Sequence, residues 1–158
     1  MTILTNSAPP TVQRSESERH GDLAADISAL VAHGVSDAST LQSRPAILRR
    51  LAAFVAGSLP AGIDRLVALA VTEAPLATAV SLHSGVPFAL LDHEGVVVLG
   101  DCYPSERLVM VETLQHAVTQ RSVPAVATLL GVATAISFDT DGDYVFGSFE
   151  AAMEKKQS

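Results

Sequence analysis

Cysteine is almost missing from this chain. Cys102 stands alone, which excludes an internal disulfide and a cysteine-rich zinc site. There is no tryptophan, and aromatics make up 4% of residues, too few for base-stacking platforms. Cations are scarce as well: ten Lys and Arg stand against 17 Asp and Glu, a net charge of −7. No run of them is long enough to follow a phosphate backbone, so nucleic acid is disfavoured as a partner. The same deficit opposes any polyphosphate ligand unless a metal compensates. No apolar run approaches the ~20 residues of a membrane span, because Thr72, Glu73, His83 and Asp92 interrupt the longest stretches. Positions 1–20 contain Arg14, Glu16 and Glu18 and no apolar segment of signal-peptide type. They read as a flexible polar arm, and 21–158 as a single domain. With its lone cysteine, the chain is expected to be cytoplasmic.

What is present is apolar patterning. Hydrophobic residues make up 48% of the 158, with a mean hydropathy of +0.33, enough for a real core. Leu23, Ile27, Leu30 and Val31 have helical spacing over 22–32, and His33-Gly34 is a stop. Ile47, Leu48, Leu51, Phe54 and Val55 repeat that signal over 45–59. Residues 65–71 form a continuous apolar run of strand length, typical of a parallel strand buried on both faces. Residues 73–84 read as a helix with Pro75 in its first turn and Gly85 as its C-terminal cap. Strands are expected at 86–91, 96–99, 107–112 and 131–138, and helices at 122–130 and 149–155. Asp141-Gly142 marks a hairpin turn. Strands alternating with helices imply an α/β domain with a mainly parallel sheet flanked by helices, a Rossmann-like core.

In such a sheet ligands bind beyond the carboxyl ends of the strands. Two ends stand out: Val71-Thr72-Glu73-Ala74, and Glu112-Thr113-Leu114-Gln115-His116. The segment AVTEAPLATAVSLHSGVPFALL resembles the first βαβ unit of type I phosphoribosyltransferases, most closely the orotate phosphoribosyltransferases. RLVMVET resembles the strand that opens their phosphoribosyl-pyrophosphate motif. HGVSDASTLQSRPAILRRLAAFVA resembles the region before the core, and LLGVATAISFD the next strand. The resemblance runs in order over residues 25–140.

That resemblance implies a ligand site whose key groups are altered here. The family's first turn is glycine-rich, so that backbone N–H groups approach the pyrophosphate; Thr72 and Glu73 stand there instead. A carboxylate pointing into the cleft ~5 Å from a pyrophosphate charge, at an effective dielectric of ~20, costs about 3 kcal/mol, about two decades in affinity, unless magnesium bridges them. The competing reading of Glu73 is a helix-starting acid that complements the dipole. The family's second motif carries two adjacent acids for the ribose hydroxyls and then a Thr/Gly-rich phosphate loop. Glu112 matches the first acid, Thr113 replaces the second, and the loop 116–120 has no glycine, with Val118 unsuited to positive φ. Gln115, His116 and Thr119 remain as possible donors. The family's Arg-Lys pair and mobile basic loop are replaced by the short Asp92-His93-Glu94-Gly95 turn, so electrostatic stabilisation of a leaving pyrophosphate has no evident source.

The candidate ligand-binding set is therefore Thr72, Glu73, Glu112, Thr113, Gln115, His116 and Thr119, with no catalytic residue and no metal ligand assigned. Magnesium is expected only if phosphoribosyl pyrophosphate binds. His20, His33, His83, His93 and His116 show no metal-ligand spacing. Asp139, Asp141 and Asp143 read as turn acids, because Gly142 and the missing downstream Glu break the calcium-loop pattern. Ser81, Ser84 and Ser105 lack a nucleophile-elbow context, and Cys102 is not supported as a catalytic thiol. Three functions compete. One is a phosphoribosyltransferase-like protein without ordinary catalysis, sensing a nucleotide or phosphosugar, or serving as a regulatory or partner subunit. Another is an active transferase of orotate or another nucleobase. The last is an interaction module that docks a partner through apolar surface. The resemblance also implies a homodimer, or a dimer with a related catalytic chain.

Overall fold

The computed structural model describes residues 14–34, 38–69, 71–114, 123–124 and 127–152. Helix α1 spans Glu16–Ala32. It starts inside the expected polar arm, because Ser15 and Glu18 close a capping box: Glu18 N–H donates to Ser15 Oγ at 3.2 Å, and Ser15 N–H to Glu18 Oε2 at 2.7 Å. Two otherwise orphaned donors are satisfied there before the apolar stripe of Leu23 and Ile27 begins. A short helix α2, Ala38–Gln42, is not foreseen by periodicity. Helix α3, Pro45–Ser58, has its proline at the first position and buries Ile47, Leu51, Ala52 and Val55.

Strand β1, Arg65–Leu69, is followed by a 3₁₀ turn, Val71–Glu73, and helix α4, Ala74–Ser84. Gly85 ends α4 in the left-handed region at φ 75°, its N–H bonded to the Ser81 carbonyl at 2.9 Å. The chain returns as β2, Phe88–Leu91, parallel to β1. Then come β3, Val97–Leu99, β4, Arg107–Leu114, β5, Thr128–Phe138, and β6, Tyr144–Ala151. The six strands lie in the order β3-β2-β1-β4-β5-β6. The inner four are parallel, and the two edge strands run antiparallel to their neighbours. The expected α/β architecture with a mainly parallel sheet is what the chain adopts.

Two of the expected helices are not helical over their described residues. Residues 128–130 of the 122–130 segment belong to β5, where Thr128 and Leu129 pair with Arg107 and Leu108; residues 123–124 are irregular. The segment 149–155 begins as strand: Phe149 pairs with Ala133 and Ala151 with Gly131. In both places a neighbouring strand supplies backbone partners, and pairing overrides a weak helical pattern. Gly131 and Gly147 permit this packing. A Cβ at Gly131 would lie 2.6 Å from the Phe149 ring, and one at Gly147, where φ is 65°, would collide with the Phe54 carbonyl.

The core has two sides. On one, Leu23, Ile27, Leu51, Val55, Leu76 and Val80 pack on Leu66, Val109, Val111 and Ala133. All four described helices cover this face. On the other, Val67, Leu91, Leu108 and Met110 form a second cluster, with Val123 and Ala127 against it. Leu66, Val67 and Ala68 are fully buried, as a central parallel strand requires. No described helix is long and apolar enough to cross a membrane.

Candidate functional site

The carboxyl ends of β1 and β4 are adjacent in the sheet, so the fold brings the turn after Leu69 against the end of β4. Glu73 is the N-cap residue of α4, yet its side chain caps nothing. Its carboxylate crosses to β4 instead. Glu73 Oε2 accepts from Thr113 N–H at 3.0 Å and from Thr113 Oγ1 at 2.7 Å. Thr113 is fully buried and Glu73 is 9% exposed. The carboxylate is buried at the start of α4 and bonded to Thr113 of β4. It fills the space between the two strand ends and ties them together.

The capping role passes to a residue that sequence reasoning missed. Gln42, at the end of α2 and 3% exposed, donates from Nε2 to the Thr72 carbonyl at 2.7 Å. Its Oε1 accepts from Leu76 N–H at 3.0 Å. Gln42 therefore supplies the side-chain acceptor that an N-cap residue ordinarily provides. Thirty-four residues separate it from Leu76, so no local signal announces it. The consequence for anions is direct. Of the first three positions of α4, Pro75 has no N–H, and that of Leu76 is committed to Gln42. A helix N-terminus binds phosphate through those groups, and here two of the three offer nothing.

The second turn also departs from expectation. Strand β4 runs on to Leu114, two residues past its expected end at 112, so Thr113 lies within the ladder and not in a loop beyond it. Strand alternation sends Glu112 and Thr113 to opposite faces. Thr113 faces the helical side and Glu73. Glu112 sits opposite Thr134 of β5 and accepts from its Oγ1 at 3.0 Å, both residues buried. Glu112 and Thr113 are therefore bonded on opposite faces of the sheet. Gln115, His116 and Thr119 lie outside the described residues, as does the whole of the loop 116–120. Thr72 is exposed, with its carbonyl held by Gln42.

No family model matches the chain, and no curated protein matches it. Among solved structures, UMP synthase of Leishmania donovani is similar at 26% identity over 50% of this chain and 18% of that chain, with a TM-score of 0.43. The likeness thus spans half of one chain and under a fifth of the other, and it assigns no activity.

The remaining candidates are structural. Asp92 Oδ1 accepts from the N–H groups of Glu94 and Val96, both at 2.9 Å, closing the turn where the family has its basic loop. Asp139 Oδ1 does the same for Asp141 and Asp143, at 2.9 and 2.8 Å, as its reading as a turn acid requires. His20 Nε2 lies 2.9 Å from the Tyr144 carbonyl, and its ring contacts Phe54 and Phe146. Burial pushes the Cys102 thiol up, with the nearby Glu106 carboxylate adding to the effect and Arg65 opposing it, the reverse of what a nucleophilic thiol needs. Among the described residues no three His, Cys, Asp or Glu side chains converge as a metal site.

Proposed function

We propose that this chain is a phosphoribosyltransferase-like protein, nearest in pattern to the orotate phosphoribosyltransferases, that no longer carries out ordinary catalysis and acts as a ligand-sensing, regulatory or partner subunit. One observation carries the reading. The groups at the carboxyl ends of β1 and β4 are spent on each other: Glu73 on Thr113, Gln42 on the first turn of α4, and Glu112 on Thr134. A site built to receive a sugar diphosphate keeps N–H groups and cations open for it. Here, among the described residues, these polar groups are closed into hydrogen bonds within the chain, and a carboxylate lies between the strands. The ordered resemblance of residues 25–140 and the parallel β1–α4–β2 unit support the ancestry.

The partner half of the reading has its own support. Val98 and Leu99 on the β3 edge, with Val96 beside them, are at least half exposed, an apolar strand edge of the kind that pairs with a second copy of the chain. Magnesium enters only as carried by phosphoribosyl pyrophosphate.

Isothermal titration with phosphoribosyl pyrophosphate and magnesium, together with a pyrophosphate-release assay on orotate, tests the proposal. Binding weaker than about 1 mM with no turnover is expected. Micromolar binding with turnover of orotate or another nucleobase overturns it. Sedimentation equilibrium is expected to show a dimer; a monomer at all concentrations removes the homodimer.

A further inference from the structure

A cleft of about 690 Å³ lies on the helical face, between α1, α3 and β6. Ligand pockets typically enclose about 300–1,000 Å³. Its floor is apolar, made by Phe54, Phe146 and Ala53. Its rim is cationic: Arg14, Arg19, Arg49 and Arg50 line it, four of the ten Lys and Arg of a chain whose net charge is −7. Two of these are neutralised, Arg14 by Asp22 at 2.7 Å and Arg50 by Asp26. The guanidinium groups of Arg19 and Arg49 have no ion-pair or hydrogen-bond partner among the described residues, and the acid left at the rim is Glu16. A second hollow of about 470 Å³ adjoins the first and shares Ala53, Gly57 and His83 with it. Its walls are apolar, with Leu59, Pro60, Ile63 and Val86. The two make one groove, cationic at one end and apolar along its length.

We infer that this groove binds a small amphiphilic anion, a phosphate or carboxylate head on an apolar body, with the head between Arg19 and Arg49 and the body over Phe54 and past Gly57. The guanidinium fork suits either head group. The aromatic floor gives the body a surface that bulk phosphate cannot use. Gly57 is where the two hollows meet, and a Cβ there would meet nothing within 4 Å. A larger side chain at Gly57 therefore grows into the groove and not into the core. The inference is independent of the proposed function, because none of these residues belongs to the strand-end turns.

Isothermal titration of the full chain with phenyl phosphate, decanoate and inorganic phosphate tests it. At least one organic anion is expected to bind about tenfold or more tighter than inorganic phosphate; phenyl phosphate as the tighter one assigns an aromatic body, decanoate an aliphatic one. Arg19→Ala with Arg49→Ala is expected to weaken that binding by about tenfold or more. Gly57→Leu is expected to do the same with an unchanged far-UV spectrum and a melting temperature no lower than wild type. If neither organic anion binds at about 5 mM, or neither outdoes inorganic phosphate, the inference is wrong. It also fails if either variant, folded, binds as wild type does.

Discussion

Replacing Thr113 by valine isolates the bond on which the site reading depends. The substitution keeps the shape and the β-branch, so strand β4 loses little propensity. It removes the hydroxyl that donates to Glu73 Oε2 at 2.7 Å, in a place where Thr113 is fully buried. Hydrogen bonds to charged acceptors contribute about 1.5–3 kcal/mol, and the backbone N–H of residue 113 still donates to the same oxygen. A loss of about 2 kcal/mol in unfolding free energy is therefore expected. For a domain of this size that lowers the melting temperature by about 4–8 °C. Urea denaturation followed by circular dichroism measures it, with Glu73→Ala and the double variant completing a cycle. The coupling between the two positions is expected to be about 1.5 kcal/mol or more. Ligand-facing residues behave in the opposite way: removing them leaves stability unchanged or raises it. A Thr113→Val protein within about 0.5 kcal/mol of wild type, with no coupling to Glu73, would mean that the strand ends are not tied together and that the site stands open.

Three more outcomes follow from the geometry. Gln42→Ala removes both the acceptor for Leu76 N–H and the donor to the Thr72 carbonyl, and is expected to cost about 1–2 kcal/mol in the same urea assay, as loss of an N-cap does. Gly147→Ala and Gly57→Ala are expected to differ in sign. The first puts a Cβ at positive φ against the Phe54 carbonyl and destabilises by about 1–3 kcal/mol; the second fills open space near the end of a helix and stabilises by about 0.5–1 kcal/mol. Asp64 accepts from the Arg107 backbone N–H at 2.7 Å, and this bond, with help from the Arg107 side chain, holds its carboxyl below the ordinary aspartate value. A lowered folded pKa favours the folded state above the unfolded value of ~3.9, and the benefit is lost as pH falls through the folded one. Asp64→Asn should therefore flatten the acid limb of a melting-temperature profile below about pH 4 and leave its shape above that unchanged.

Much of the fold was legible because short-range physics decided it. Proline at 45 and 75, Gly85 past the end of α4, and the Asp-Gly turn at 141–142 each act within a few residues. The apolar runs expected as buried strands at 65–71 and 107–112 correspond to β1, Arg65–Leu69, and β4, Arg107–Leu114. The misreadings were of two kinds. Residues 128–130 and 149–151 are strand because β4 and β5 lie alongside to pair with them, whereas helix α1 begins at Glu16 through a local capping box that carries no apolar signal.

At the candidate site the division is sharper. The residues of the two turns, 71–74 and 112–120, already show that glycine, lysine and arginine are missing from them. That Glu73 would spend its carboxylate on Thr113, 40 residues away, and that Gln42 would cap α4 across 34, was decided only when the sheet brought β1 beside β4 and α2 beneath the turn. Residue types and their spacing set which local conformations are cheap. Which buried polar groups meet depends on the three-dimensional arrangement, because a hydrogen bond forms between atoms about 3 Å apart whatever their distance along the chain.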